Sequence, residues 1–344
     1  MITVLENPSL NVIGKTPYEF LQHLEKPTLI KITGKDSSRT RAVATLLHGN
    51  EPSGFFAVHK WLLLQEVPPV NLVFFIGNVW AARLPPVFNN RQLPDGRDLN
   101  RCFNAPYEGL EGQVASELLE HLHTLRPEAL IDIHNTSGTG PSFAVTVTND
   151  AEHQSLTGLF TERLMVTQLR LGALMEYSER EVPTVTVECG GAQDEHAHLC
   201  AWEGLLRFIR SDNVLQEPDT DWGIEVLKNP VRVEIPEAIT LTYDYEPSNN
   251  NDITLRPDIE HFNFGVIKPD VRLGWVGNKG MDCFRIIDCN GRDIRDKVLR
   301  IIDGELYPAQ AIKAFMITAN FGIAKSDCLL YAVTDKGESI VWNG

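Results

Sequence analysis

Short apolar segments alternate with helical patterns over residues 1–224, and this alternation constrains the fold more than any other feature. Runs of strand length, rich in Val, Ile and Phe, occur at 28–34, 42–48, 71–79, 129–134, 142–148 and 184–189. Helical patterns fall between them, at 16–25, 53–66, 111–126, 153–171 and 194–211. Such runs fit strands that are covered on both faces. We therefore predict an α/β domain in which a mostly parallel or mixed sheet carries helices on both faces.

The pattern changes after residue 215. The segment "EPDTDWG" (217–223) is a polar junction that contains Pro and Gly. Beyond it, short β-rich segments are separated by turn-forming clusters such as "EPSNNND" and "TDKG", which is typical of a small antiparallel β domain. We predict a larger domain over residues 1–215 and a smaller, β-rich C-terminal domain over residues 216–344.

Charge and composition exclude several classes of protein. The formal net charge of -15 argues against binding to nucleic acid or to an anionic membrane surface. No basic segment followed by a long apolar run opens the sequence, and no apolar run approaches the ~20 residues that span a bilayer. The six cysteines include no C-x-x-C pair, which indicates reduced thiols and a cytoplasmic protein. A homo-oligomer is compatible with this composition.

Polar side chains follow three of the predicted strands, where each strand ends. His48 and Glu51 follow the second, Asp132 and His134 end the fourth, and Glu188 lies near the end of the last. In open parallel sheets, ligands bind outside the carboxyl ends of the strands. Histidine and glutamate are zinc ligands, and a catalytic zinc site has three protein ligands. His48, Glu51 and His134 could form such a set, supported by Asp132 on the same strand face, although a strand-end histidine is more often a hydrogen-bonded structural group.

An arginine-rich loop, "NNRQLPDGRDLNRCFN" (89–104), lies between the first and second of these clusters in the sequence. Arg91, Arg97 and Arg101 could form an anion clamp, because guanidinium groups match carboxylate oxygens. The alternative is that Asp95 and Asp98 pair with these arginines on a solvated loop.

Four motifs together resemble one family. "HGNEPSG", "DGRDLNRCF", "DIHNTSG" and "VECGG" occur in this order, and they resemble the succinylglutamate desuccinylase/aspartoacylase family, a branch of the zinc-carboxypeptidase-like fold. The resemblance covers roughly residues 40–212. It implies a zinc-carboxypeptidase-like catalytic domain over residues 1–215.

The resemblance assigns roles to the strand-end residues. His48 and Glu51 in H-G-N-E match the first two zinc ligands of the family, and His134 in "DIHNT" matches the third. Glu188 in "VECGG" matches the general base. We therefore expect one Zn²⁺ per chain.

The resemblance also assigns substrate contacts. Asn100 and Arg101 in "DLNR" match the pair that grips the substrate carboxylate. Arg91 is our choice for the residue that polarises the scissile carbonyl, with Arg97 as the alternative. Arg180 is the nearest candidate for a further carboxylate-binding arginine, at a different offset from that of the aspartoacylase branch. That branch also closes its site with a tyrosine from the C-terminal domain, for which Tyr307 and the position of Phe321 are the candidates here.

These roles imply a zinc-dependent amidohydrolase. Its substrate would be an N-acyl amino acid, from which it would remove an acyl group such as succinyl or acetyl. The alternatives are a zinc carboxypeptidase that acts on a peptide C-terminus, and a catalytically silent binding protein of the same fold.

Overall fold

The computed structural model describes residues 1–136, 138, 140–179, 182–216, 223–288, 290–326 and 328–340. The chain divides into two units. Unit 1 comprises Met1–Asn135, Ser142–Leu164 and Leu169–Ile224, and unit 2 comprises Thr136–Pro141, Met165–Gln168 and Glu225–Gly344. Most of the junction "EPDTDWG" lies outside the described residues.

Unit 1 carries the α/β alternation that the sequence predicts. Its strands are β1 (Thr3–Glu6), β2 (Thr28–Ile32), β3 (Asp36–Thr45), β4 (Val70–Ile76), β5 (Ala129–Thr136), β6 (Phe143–Thr146), β7 (Arg163–Val166) and β8 (Thr184–Gly191), of which β5 and β7 end within segments of unit 2. Its helices are α1 (Leu10–Ile13), α2 (Pro17–His23), α3 (Ser53–Leu63), α4 (Val79–Arg83), α5 (Gly109–Leu125), α6 (Ala151–Gly158) and α7 (Glu195–Arg210). Short 3₁₀ turns lie at Leu99–Arg101 and Leu174–Glu179.

The sheet is mixed. The strands of unit 1 follow the order β1-β2-β4-β3-β5-β8-β6-β7 within it. The long strand β3 is parallel to both of its neighbours, so that Val43 pairs with Phe74 of β4 and with Ile131 of β5. By contrast, β2 runs antiparallel to β4, and β6 runs antiparallel to β8. The predicted fold class is therefore confirmed in its mixed form.

Helices cover both faces of this sheet. On one face, Val114 and Leu118 of α5 join an apolar cluster with Ala42 of β3. On the other face, the ring of Trp61 in α3 lies 5.5 Å from the ring of Phe74. Successive strand residues point to opposite faces, and this explains why the consecutive residues Ala42, Val43 and Ala44 near the end of β3 are all apolar and buried.

One predicted helix is wrong. The segment 153–171 was expected to be helical throughout, but α6 ends at Gly158 and residues 163–166 form β7. Backbone amides of Phe160 and Thr161 both donate to the carbonyl of Thr157, which closes the helix. Short apolar runs such as "RLMV" fit a buried strand as well as a buried helix, so periodicity alone could not separate them.

Unit 2 is smaller and rich in β-structure, as predicted. Its strands are β9 (Glu225–Lys228), β10 (Val231–Val233), β11 (Leu241–Tyr243), β12 (Ile253–Leu255), β13 (Val266–Ile267), β14 (Gly274–Val276), β15 (Leu299–Ile302), β16 (Glu305–Pro308), β17 (Ile312–Phe315) and β18 (Leu330–Thr334). Short helices are α8 (Arg295–Val298) and α9 (Phe321–Ser326), with 3₁₀ turns at Ile259–Phe262 and Gly280–Cys283. A four-stranded sheet (β10-β18-β17-β13) and a five-stranded sheet (β11-β12-β14-β16-β15) share one apolar cluster. In the described part of the whole chain, no helix combines the length and the apolar character needed to cross a membrane.

A buried arginine fastens α7 to the sheet. Arg41 of β3 is fully buried, and its Nε donates to Oε1 of Glu128 at 2.6 Å. Its Nη1 donates to the carbonyls of Phe208 and Ser211, both at 2.7 Å. These carbonyls belong to the end of α7, where a helix leaves its last acceptors without intrahelical partners.

Replacing this arginine should destabilise unit 1. We expect Arg41→Met to lower the free energy of unfolding by about 3–5 kcal/mol, because it leaves buried carbonyls without donors and Glu128 without its buried partner. The control is Arg39→Met, since Arg39 also binds Glu128 but its side chain is 37% exposed. That change should cost at most about 1 kcal/mol. Equal losses in denaturant unfolding would contradict the assignment.

Candidate active site

The site begins where β3 and β5 end side by side. In their parallel pairing, Thr45 lies opposite Ile133. His134 is therefore the next residue along β5, while His48 and Glu51 lie in the loop of residues 46–52 that joins β3 to α3. Leu46 has a φ of 57°, an uncommon left-handed conformation that turns the chain out of the strand. The three candidate ligands thus gather at the carboxyl ends of β3 and β5.

A glycine lets this loop lie close to its neighbours. A Cβ on Gly49 would stand 2.5 Å from the amide nitrogen of Ala82 and 2.6 Å from the carbonyl oxygen of Asn90. The amide of Gly49 donates to the carbonyl of Arg91 at 2.9 Å. No larger residue fits this path without moving backbone atoms.

His48, Glu51 and His134 form a compact buried cluster whose ligand atoms all lie within 4.8 Å of one another. Nδ1 of His134 lies 2.7 Å from Oε2 of Glu51, and Nδ1 of His48 lies 2.8 Å from Oε1. The second contact lacks hydrogen-bond geometry, so among the described residues Nδ1 of His48 has no hydrogen-bond partner. A buried polar atom in this state needs an explanation, and a shared cation provides one.

Each imidazole contacts a second carboxylate through the ring nitrogen that does not face Glu51. Nε2 of His48 lies 2.8 Å from Oδ1 of Asp98, and Nε2 of His134 lies 2.8 Å from Oδ2 of Asp132. Such contacts orient an imidazole and fix which nitrogen can bind a metal. Here they occupy Nε2 in both rings, so that both Nδ1 atoms face Glu51. A His₂Glu donor set with this support fits a zinc ion.

The electrostatic field of the cluster favours positive charge. Burial opposes protonation of both histidines, but the Glu51 charge and the contact with Asp98 raise the pKa of His48 above its ordinary value. The charges of Asp132 and Glu51 likewise overcome burial and raise the pKa of His134 well above its ordinary value. Against the effect of burial, the two imidazoles hold the pKa of Glu51 far below its usual range. The same negative charges would stabilise a bound divalent cation.

Glu188 differs from the other carboxylates of the site. It lies on β8, where it pairs with Phe143 of β6. Its Oε2 is buried and has no hydrogen-bond partner within the described parts of the chain. Burial, opposed by the charge of His134, raises the pKa of Glu188 to about 7. This carboxyl group can therefore exchange a proton near neutral pH.

The two candidate arginines of the 89–104 loop occupy different places. Nη2 of Arg91 lies 2.9 Å from Oδ2 of Asp98, and Nη1 lies 3.3 Å from Oε1 of Glu51. Arg97 donates from Nη1 to the carbonyl of Glu108 at 2.8 Å. The structure brings Arg91 to the cluster and directs Arg97 to a backbone carbonyl.

The remaining predicted substrate contacts lie around Asp98. Asn100 is buried, and its Oδ1 accepts from the amide of Leu174 at 2.9 Å. Arg101 is exposed and donates to the carbonyl of Asn100. Burial raises the pKa of Asp98, but the contact with His48 and the charges of His48, Arg91 and, with the smallest effect, Arg101 hold it below its usual range. Arg180 lies outside the described residues.

The candidates for a closing residue belong to unit 2. The hydroxyl of Tyr307 donates to Glu305, and Phe321 is exposed.

Two residues of the site were not assigned to it from the sequence. Asp98 was expected at most to pair with neighbouring arginines; it does bind Arg91, but it also supports His48. Its position at the start of "DLNR" was the available signal. Asn135 directly follows His134 but was given no role from the sequence. Its backbone amide donates to Oε2 of Glu51 at 3.3 Å.

Comparisons with known proteins agree with this arrangement. Residues 39–202 match the family described as the succinylglutamate desuccinylase/aspartoacylase catalytic domain. Among curated proteins, none matches this chain.

Several solved structures share the fold at low sequence identity. A succinylglutamate desuccinylase/aspartoacylase from Rhodobacter sphaeroides is 14% identical with a TM-score of 0.54, covering 84% of this chain and 83% of that one. The product-bound ectoine utilization protein EutE (DoeB) from Ruegeria pomeroyi is 17% identical with a TM-score of 0.53, covering 82% and 81%. Murine aminoacylase 3 is 17% identical with a TM-score of 0.51, covering 87% and 96%.

The matched segment contains every ligand of the cluster, both supporting carboxylates and Glu188. Over residues 39–202, the chain resembles the succinylglutamate desuccinylase/aspartoacylase family.

Proposed function

We propose that this protein is a zinc-dependent amidohydrolase of the cytoplasm that removes an acyl group, such as succinyl or acetyl, from an N-acyl amino acid. The observation that carries the proposal is the combination of a buried His₂Glu donor set with a separate carboxyl group on the adjacent strand β8, whose Oε2 has no hydrogen-bond partner among the described residues. The match of residues 39–202 to the succinylglutamate desuccinylase/aspartoacylase catalytic domain supports the reaction class, because that family removes acyl groups from N-acyl amino acids.

His48, Glu51 and His134 would hold one zinc ion per chain. Bound there, the ion supplies Lewis-acid activation of water and of the substrate carbonyl. Glu51 is engaged by both imidazoles through its two oxygens. It is therefore a poor proton carrier, and a second carboxylate must perform that task.

Glu188 would act as the general base and acid. Its Oε2 is without a hydrogen-bond partner among the described residues, and its pKa of about 7 suits a group that accepts a proton and later delivers it to the departing amine. A cation nearby lowers a carboxyl pKa, which would keep the base ionised before the reaction.

Three residues of the 89–104 loop would bind the substrate. Arg91 would stabilise the negative charge that develops on the carbonyl oxygen. Asn100 and Arg101 would hold the substrate carboxylate and so place the amide bond at the cluster. The amide oxygen of Asn100 already accepts from Leu174, which orients its nitrogen as the group available for a carboxylate. Arg180 is proposed as a further carboxylate contact on the family resemblance alone.

The zinc requirement and the reaction can be tested together. The zinc-loaded protein should release amine from N-succinyl or N-acetyl amino acids, and His48→Ala should lose most of its bound metal and its turnover, because two ligands remain. Elemental analysis and an amine-release assay measure the two effects. The matched control is His23→Ala, an exposed histidine bound to the carbonyl of Val12. Full metal retention in His48→Ala would show that the ligands are misassigned, and release from short peptides alone would favour a carboxypeptidase.

The role of Glu188 predicts a selective loss of turnover. Glu188→Gln keeps the size of the side chain but removes its basic oxygen, so kcat should fall by at least about 10²-fold while zinc content stays normal. The control is Glu117→Gln, because Glu117 binds the amide of Ile2 and the N-terminus.

If Glu188 only satisfied local packing, Glu188→Gln would change melting temperature and leave the turnover of the folded protein intact. A stable, metal-replete variant with near-normal kcat would therefore contradict the mechanism.

Arg101 should distinguish substrates by their carboxylate. Arg101→Ala should reduce kcat/KM for N-acyl amino acids at least about tenfold more than for the corresponding esters or amides. A factor of about ten corresponds to the loss of one charged hydrogen bond. Arg210→Ala is a suitable control, because Arg210 pairs with Glu66 on the surface. Equal losses on acids and esters would place Arg101 outside the carboxylate site.

A further inference from the structure

We propose that Asn135 is a positioning residue that locks the strand carrying Glu188 to the loop and strand carrying the zinc ligands. The proposal rests on the proposed function, since it assigns a task within the same site. Asn135 does not touch the reacting groups through its side chain. It acts through the backbone segments that carry them.

The side chain of Asn135 is buried and binds two other elements at once. Its Nδ2 donates to the carbonyl of Gly190 at 2.9 Å and to Oγ of Ser53 at 2.8 Å. Its Oδ1 accepts from the amide of Ser53 at 3.0 Å. Its own backbone amide donates to Oε2 of Glu51 at 3.3 Å.

The partners fix the orientation of this amide. The carbonyl of Gly190 can only accept and the amide of Ser53 can only donate, so Nδ2 must face β8 and Oδ1 must face α3. Oγ of Ser53 accepts from Asn135 and also forms a hydrogen bond with Nδ1 of His198 on α7, at 2.7 Å, in which the tautomer of His198 decides the donor. Gly190, Asn135, Ser53 and His198 are thus linked by one continuous chain of hydrogen bonds.

The positions of these partners in the sequence show which residues of the site these hydrogen bonds hold in place. Ser53 opens α3 two residues after Glu51, and Gly190 lies two residues after Glu188. Asn135 itself follows His134 on β5. One side chain therefore sets the spacing between two zinc ligands and the general base, and displacement of a reacting group by about 1 Å can reduce a rate by about 10²-fold.

The variant that tests the proposal is Asn135→Leu, which keeps the approximate shape and removes every side-chain hydrogen bond. For zinc-loaded, folded protein, kcat should fall about 10- to 100-fold with KM changed much less, and zinc affinity in chelator competition should weaken about tenfold, as for other residues that support metal ligands. Zinc competition does not depend on turnover, so it tests Asn135 even if the wild-type protein proves inactive on N-acyl amino acids. That inactivity would overturn the proposed function instead.

The matched control is Asn71→Leu. Asn71 also binds backbone groups of a neighbouring segment, accepting from the amide of Gly34 at 3.0 Å and donating to the carbonyl of Ser37 at 2.9 Å. It lies at the start of β4, which runs parallel to β3, and therefore at the end of these strands opposite to the site. Both variants should lose stability, and only Asn135→Leu should lose kcat and zinc affinity. Equal kcat and zinc affinity in the two variants would overturn the proposal.

If Asn135→Leu does not fold, a milder variant tests the proposal. Ser53→Ala removes Oγ but keeps the backbone amide of residue 53 and the bond from Asn135 to Gly190. Its kcat should fall about fivefold, the equivalent of one neutral hydrogen bond. Wild-type kcat and zinc affinity in Ser53→Ala would then count against the role of Asn135.

Discussion

The parallel register of β3 and β5 is the constraint on which the site depends. It sets Thr45 opposite Ile133, so that His134 and the loop after β3 emerge together. A shift of one residue would send every side chain of β5 to the other face of the sheet, and His134 would leave the cluster. Because β3 is buried from Ala42 to Thr45, the same apolar packing that stabilises the domain also fixes the distance between the candidate zinc ligands.

Charge balance is the second constraint. Glu51, Asp98 and Asp132 surround two imidazoles at hydrogen-bond distances, and burial makes this concentration of carboxylates costly unless positive charge compensates it. Arg91 supplies part of that charge through Asp98 and, at a longer distance, through Glu51. We expect a bound cation to supply the rest and to weaken the contact between Arg91 and Glu51, which would turn the guanidinium toward a substrate carbonyl.

The sequence predicted the features that follow from periodicity and from motif position. Apolar runs of strand length located β3, β4, β5 and β8, and the polar residues at their ends indicated where ligands would gather. β7 was misread as helix because four apolar-rich residues do not distinguish the two periods. The antiparallel placement of β6 beside β8 could not be predicted, because strand order depends on long-range pairing.

Side chains that act through contacts distant in the sequence could not be identified from local patterns either. Asp98 reaches His48 across 50 residues of sequence, and Asn135 reaches Gly190 across 55. Apart from the position of Asp98 in the "DLNR" motif, the local sequence does not distinguish a carboxylate or amide that orients a ligand from one that caps a turn. Only the hydrogen bonds of the folded site show that these two side chains orient other residues of the site.

The state of Glu188 bears on the choice between an enzyme and a silent binding protein. Within the described residues, the buried Oε2 of Glu188 has no hydrogen-bond partner. Such a group destabilises the folded protein, whereas Gln or an apolar residue at this position would remove the charge. A protein that only binds a ligand does not need such a group beside a candidate metal donor set. An amidohydrolase does, since the reaction needs a base that is neither a ligand nor neutralised by a salt bridge. The destabilising carboxyl group is therefore the feature that most favours catalysis over binding alone.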